Sequence, residues 1–98
     1  MPSRKAFDYQ KIIRICQQYG ISKIGIFGSV ARREDTPQSD LDLLVQFTQR
    51  TSLLGMVRLE RELSNAIGRK VDLVTEESIS PYLRETIMAD LQVIYEAG

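Results

Sequence analysis

The chain contains the stretch KIGIFGSVARREDTPQSDLDLLVQF at residues 23–47, which predicts two strands joined through a turn and a loop. Apolar residues alternate with other residues over 23–27 and again over 41–47, the spacing of strands with one buried face. Gly28 and the residues after it predict a short helix at 29–33, and the polar residues that follow predict a loop.

Two aspartates, Asp40 and Asp42, flank Leu41 where the second strand begins. Residues two apart on a strand point to the same face, so we expect these carboxylates to project together. Strands are poor in aspartate, and two like charges ~4 Å apart repel by about 4 kcal/mol at an effective dielectric constant of about 20. A divalent cation would remove this repulsion, whereas the alternative is a solvated strand face that binds nothing.

A third aspartate, Asp72, lies in the apolar segment KVDLV at residues 70–74, a predicted strand. If this strand is the neighbour of the one that carries Asp40 and Asp42, three carboxylates converge. Three carboxylates can hold two magnesium ions ~3.5–4 Å apart, an arrangement that serves in-line phosphoryl transfer. The chain has no histidine and a single cysteine, Cys16, so metal chemistry here depends on carboxylates, which favour magnesium over zinc.

The Gly28-Ser29 turn between strand and helix is a candidate phosphate site. Glycine lets a phosphate come close to the backbone, and the start of a helix offers unpaired N–H groups. Arg32 follows within one helical turn and is a candidate to steady a triphosphate tail. The alternatives are a tight turn capped by serine and an arginine on a solvated helix face.

Length and composition narrow the class of protein. The 98 residues predict one domain, 1–98, and no apolar run approaches the ~18 residues of a membrane helix. The basic segment Met1–Lys5 precedes no apolar stretch and predicts no signal peptide, and the lone cysteine fits a cytoplasmic protein. Because 13 basic and 13 acidic residues cancel, a long nucleic acid is not expected as the main ligand.

The rest of the chain predicts helices and strands in alternation, which gives an α/β class with a small sheet. Helices are expected at 8–19, at 52–67 and after Ser80, the predicted N-cap of a helix with Pro81 at its first position. Further strands are expected at 70–74 and 92–95. In the helix at 52–67 the apolar residues expected to face inward are Leu53, Leu54, Val57, Leu59, Leu63 and Ile67. The tyrosines expected to pack in the core or at its edge are Tyr19, Tyr82 and Tyr95.

Three motifs together resemble the DNA polymerase β-type nucleotidyltransferase superfamily, in particular its minimal nucleotidyltransferase (MNT) branch. They are FGSVAR at 27–32, SDLDL at 39–43 and VDLV at 71–74. The resemblance covers residues 21–95. It implies a small mixed β-sheet flanked by helices, the core of the nucleotidyltransferase fold.

The resemblance also implies a function and a set of site residues. Asp40, Asp42 and Asp72 would form a catalytic acidic triad that binds magnesium, with Asp72 as the candidate base, and Ser29 would contact the nucleotide phosphates. MNT proteins are commonly antitoxins paired with HEPN-domain toxins, which are RNases. The implied activity is the magnesium-dependent transfer of AMP from ATP to a tyrosine of the partner toxin, which neutralises it.

Two other functions are compatible with the sequence: an antitoxin that neutralises its toxin by binding alone, and transfer to a small molecule or a nucleic-acid end. The sequence departs from the family pattern at Arg33, where MNT proteins often carry glycine, so the path of the loop to Asp40 is not predicted. Larger superfamily members append a helical domain that closes over the nucleotide, and 98 residues leave no room for one. We therefore expect a partner protein to complete the site.

Overall fold

The structure is a computed structural model that describes residues 8–97. In chain order the elements are α1 (Tyr9–Gln18), β1 (Ile21–Phe27), α2 (Gly28–Ala31), β2 (Leu41–Phe47), α3 (Leu53–Ile67), β3 (Val71–Thr75), a 3-10 turn (Glu76–Ser78), α4 (Pro81–Asp90) and β4 (Gln92–Glu96). The segment Met1–Lys5, for which the sequence predicts no signal peptide, lies outside the described residues. Within residues 8–97, no helix is long and apolar enough to cross a membrane.

The four strands form one mixed sheet in the order β3-β2-β1-β4. Strand β1 runs antiparallel to both β2 and β4, whereas β3 runs parallel to β2. A parallel pair needs a crossover connection, and α3 provides it between β2 and β3. The predicted α/β class with a small mixed sheet flanked by helices is confirmed, and β3 is indeed the neighbour of β2.

One face of the sheet packs against α1 and α3 and forms the core. Ile12 and Cys16 of α1 and Leu59 and Leu63 of α3 are fully buried there. The buried strand residues are Ile21, Ile24, Ile26, Leu41, Leu43, Val45, Val71 and Leu73. Because side chains alternate along a strand, Asp42 lies on the opposite face of the sheet.

Part of that opposite face, over β1, is covered by α4 and the residue after it. Leu91 packs over β1 at Gly25, where its Cδ1 atom lies 2.5 Å from the position that a β-carbon would take. Tyr82, at the start of α4, is 93% exposed, so the expectation that it packs in the core or at its edge is wrong. Tyr19 and Tyr95 do pack against the core, as predicted.

Helix α3 buries a narrower face than its sequence predicts. Leu59 and Leu63 are buried, and Met56 and Ile67 pack beside them. The expectation of an inward face is wrong for three residues, Leu53, Leu54 and Val57, which are 81%, 68% and 45% exposed. The physical reason is that the first two turns of α3 are apolar on more than one side, and only the side in register with Leu59 and Leu63 reaches the sheet.

Helix starts follow the capping residues. Ser80 accepts a hydrogen bond from the backbone N–H of Tyr82, and Pro81 occupies the first turn of α4 as predicted. Ser52 caps α3 in the same way, through the N–H of Gly55. These two boundaries are fixed by local chemistry and therefore were readable from the sequence.

Candidate active site

Two aspartates lie side by side on the parallel strands β2 and β3. Asp42 is the register partner of Asp72, and neighbouring strands are ~4.8 Å apart. Asp42 is half-buried and Asp72 is exposed. The structure thus brings these two carboxylates together on the sheet face that α1 and α3 leave free.

Asp40 is the residue immediately before β2, at the edge of the same site. Its charge raises the pKa of Asp42, so the two carboxylates are within electrostatic range of each other. The Nζ atom of Lys70 lies 3.9 Å from the Oδ2 atom of Asp40. The N–H of Leu41 donates to the carbonyl of Lys70 at 2.9 Å, which aligns the starts of β2 and β3.

Gly28 brings the turn after β1 against the acidic pair. Phe27 is the register partner of Asp42 across β1 and β2, so Gly28 lies beside that carboxylate. A β-carbon on Gly28 would collide with Oδ2 of Asp42, and the φ angle of Gly28 is +80°. Both the left-handed backbone and the close approach therefore require glycine at this position.

Helix α2 is a single turn, somewhat shorter than the 29–33 segment predicted. Its N-cap is Phe27, which makes no side-chain capping hydrogen bond, so Ser29 is not the cap that the simpler interpretation assumed. The backbone closes the turn, with the N–H of Arg32 donating to Gly28 at 3.1 Å and the N–H of Glu34 donating to Ser29 at 2.8 Å.

Arg32 is held by two carboxylates. Its Nη1 atom lies 2.6 Å from Oδ2 of Asp90, at the end of α4, and its Nε atom lies 3.0 Å from Oε1 of Glu34. A guanidinium group has further N–H donors besides these two. The triphosphate contact predicted for Arg32 stays a prediction.

The loop from α2 to Asp40 is anchored by backbone geometry and an ion pair. Arg33 adopts a φ angle of +60°, the left-handed conformation that glycine would adopt without strain. Further along, Asp35 forms a partly buried ion pair with Arg69, with 3.1 Å between Oδ2 and Nη1. Arg69 thus helps to set the path of the loop.

The pKa of Asp42 is raised above its ordinary value of 3.8. Partial burial is the largest cause, followed by the negative charges of Asp72 and then Asp40, while the positive charge of Arg32 lowers it. Burial and like charge both disfavour an ionised carboxyl. A cation at this face would offset both effects.

The sequence matches the protein family described as polymerase beta, nucleotidyltransferase over residues 10–98. The chain belongs to this nucleotidyltransferase family. One relative is a Methanocaldococcus jannaschii protein provisionally named protein adenylyltransferase, 44% identical over 81% of this chain and 85% of its own length. Another is protein adenylyltransferase MntA of Thermococcus cleftensis, 36% identical over 76% of each chain.

Solved structures share the nucleotidyltransferase fold. A toxin–antitoxin with AMP-PNP superposes with a TM-score of 0.82 at 23% identity, over 92% of this chain and 74% of the other. A protein provisionally described as a minimal nucleotidyltransferase gives 0.74 at 37% identity, over 85% of each chain. A tri-AMPylated Shewanella oneidensis HEPN toxin in complex with MNT antitoxin gives 0.71 at 22% identity, over 90% and 69%.

The donor set of this nucleotidyltransferase suits magnesium. Within residues 8–97, no three acidic, histidine or cysteine side chains are grouped closely enough to enclose a metal ion. Magnesium does not need such a cage, because it usually binds one or two carboxylates together with substrate phosphates and water. Asp42 and Asp72, adjacent in the register, provide that pair of carboxylates.

Residues that the sequence did not single out also approach the turn. Asp90 holds Arg32, and the side-chain amide of Gln92 donates to the carbonyl of Ala31 at 3.1 Å. Neither residue lies in a recognisable motif, and both are about sixty positions from α2. No local pattern could have identified them, since only the placement of α4 and β4 beside α2 brings them there.

Proposed function

We propose that this nucleotidyltransferase transfers AMP from ATP to a tyrosine hydroxyl of a HEPN-domain toxin, and thereby acts as its antitoxin. The observation that carries the proposal is the pairing of Asp42 with Asp72 beside the Gly28 turn. Support also comes from relatives named protein adenylyltransferases. Solved toxin–antitoxin complexes, one of which contains an AMPylated HEPN toxin, include a chain with the same fold.

In the proposed reaction the acceptor oxygen attacks the α-phosphorus of ATP, the bond to the bridging oxygen breaks, and pyrophosphate leaves. Asp72 accepts the proton of the hydroxyl, because its side chain is exposed at the face that the acceptor must approach. The Gly28-Ser29 turn and Arg32 bind and orient the phosphates. Most of the rate would come from this positioning and from electrostatic stabilisation.

Magnesium is the cation proposed for Asp40, Asp42 and Asp72, where it would neutralise charge on the phosphate oxygens. Asp42 and Asp72 would hold it together with the nucleotide phosphates, with Asp40 at the edge of the site, and a cation there would relieve the repulsion that raises the pKa of Asp42. Because the Asp42 carboxylate lies against Gly28, the residues that would hold the cation are next to the turn that would orient the nucleotide.

The proposal is tested by incubating the chain with its HEPN toxin, ATP and magnesium, and measuring toxin mass and RNase activity. The wild type should add the mass of AMP to the toxin and abolish RNase activity. Asp42→Asn should do neither. Asp8→Asn is the matched control, because it makes the same chemical change at the N-cap of α1, remote from the site.

One outcome would reverse the conclusion. If the toxin is fully neutralised with no change in mass, and Asp42→Asn neutralises it equally well, the chain is an antitoxin that acts by binding alone.

A further inference from the structure

The turn that carries Gly28 and Ser29 is held from outside by the end of α4. Asp90, the last residue of α4, has a side chain only 18% exposed, and its Oδ2 atom lies 2.6 Å from Nη1 of Arg32. This is the short distance of a charge-assisted hydrogen bond. It joins two residues that are 58 positions apart.

A second contact reaches the same turn from the start of β4. The side-chain amide of Gln92 donates to the backbone carbonyl of Ala31, the last residue of α2, at 3.1 Å. Between the two contacts, Leu91 packs against β1 at Gly25. The segment Asp90–Gln92, which we name the α4–β4 junction, therefore contacts both α2 and the strand that leads into it.

Helix α2 has little stability of its own and depends on contacts with the rest of the fold, which include the packing of Val30 and Ala31 against the core. It has four residues and no side-chain cap, and a single helical turn is unstable in isolation. The Arg32 guanidinium already uses its Nη1 and Nε atoms for Asp90 and Glu34. Arg32 is thus built into the support of the turn, whatever its remaining donors contact.

We propose that the α4–β4 junction positions the Gly28-Ser29 turn for the nucleotide, with Asp90 and Gln92 as positioning residues that act through Arg32 and Ala31. This inference rests on the proposed function, in which the turn binds the phosphates of ATP. Loosening the junction frees the turn to move away from Asp42, so ATP binds less tightly while the acidic residues themselves are unchanged.

The test compares Asp90→Asn and Gln92→Ala with the wild type, by calorimetric titration with ATP and magnesium. Each variant should bind ATP about tenfold more weakly, a loss equivalent to ~1.4 kcal/mol. In the AMP transfer assay KM for ATP should rise, with kcat changing much less. Glu76→Gln is the control, because it breaks the other ion pair of α4, that with Arg84 at 3.4 Å, without touching α2.

Two further measurements separate positioning from a general loss of structure. Amide hydrogen exchange over residues 28–33 should quicken in Asp90→Asn and stay unchanged in Glu76→Gln, with the rest of the sheet protected in both. In an Arg32→Met background, Asp90→Asn should weaken ATP binding no further, because its effect passes through Arg32.

The possible results are distinguishable. If Asp90→Asn binds ATP as tightly as the wild type, and its residues 28–33 exchange no faster than those of the wild type, the positioning role alone is overturned. Independent, additive losses from Asp90→Asn and Arg32→Met would also overturn it. A wild-type chain that binds no ATP would overturn the proposed function and this inference together.

Discussion

Asp42 lies between the carboxylate of Asp72 and the backbone of Gly28, so its ionisation is coupled to stability. Its pKa in the folded chain is raised above the ordinary value of 3.8. Between those two values the folded state binds more protons than the unfolded state, so the free energy of unfolding falls as the pH rises through that interval. Above that pH interval, the charged carboxylate of Asp42 destabilises the metal-free fold.

Asp42→Asn should therefore be more stable than the wild type at neutral pH without magnesium. The gain should be no more than about 1 kcal/mol, because solvent screens charges that are only partly buried. It should vanish as the pH falls below the ordinary value of 3.8, where the wild-type carboxyl is protonated in both states. Thermal unfolding across this pH range measures it, and a variant less stable at neutral pH would contradict the explanation.

Gly28→Ala separates backbone strain from the collision with Asp42. Gly68 has a nearly identical φ angle, +78° against +80°, but nothing lies within 4 Å of its missing β-carbon. Gly68→Ala should cost about 1–2 kcal/mol from strain alone, whereas Gly28→Ala should cost more and also weaken ATP binding. Chemical denaturation and calorimetry compare the two variants. Equal losses would show that the contact with Asp42 has no energetic weight.

Arg33 occupies a left-handed backbone position, which favours glycine, with a φ angle of +60°. Arg33→Gly should relieve the strain and so stabilise the fold, by roughly 0.5–1 kcal/mol once the greater entropy of the unfolded glycine is subtracted. Arg14→Gly, in the interior of α1, should instead destabilise by about 1 kcal/mol. Denaturation midpoints test both, and a destabilised Arg33→Gly would mean that the arginine side chain makes a compensating contribution.

At the scale of elements, α3 has a clear division between a buried and an open face. Leu63 is fully buried and Leu54 is 68% exposed, although both are leucines of one helix. Leu63→Ala should lower the free energy of unfolding by about 2–5 kcal/mol, because it leaves a cavity in the core. Leu54→Ala should change it by less than about 0.5 kcal/mol. Urea unfolding measures the free energy of unfolding of both variants. Similar losses in Leu63→Ala and Leu54→Ala would contradict the orientation of α3.

At the scale of the whole molecule, Cys16 reports on the integrity of the core. It is fully buried between α1 and the sheet, and this burial raises its pKa to about 12. At mildly alkaline pH the thiol should thus resist alkylation until the chain unfolds, since the thiolate is the reactive form. Mass spectrometry after iodoacetamide treatment measures this, with Gln18→Cys on the exposed side of α1 as a reactive control. Rapid labelling of native Cys16 would contradict the packing.

Local structure was largely readable from the sequence. Alternating apolar residues predicted β2 with its observed bounds, and Ser80 with Pro81 predicted the start of α4. The spacing of Asp40 and Asp42 predicted only that the two carboxylates project to the same face. These features depend on hydrogen bonds and side-chain periodicity within a few residues, so a short segment contains the information that decides them.

Only the tertiary structure decided which segments meet. Three contacts join distant parts of the chain. Asp42 pairs in register with Asp72, the carboxylate of Asp42 lies where a β-carbon of Gly28 would be, and Arg32 binds Asp90. The exposed side of α3 was likewise settled by the sheet that it packs on, because its first turns are apolar on more than one side. Such contacts arise from the packing of whole elements, whose partners no short segment specifies, so the sequence supplied the acids and the turn while the fold placed them together.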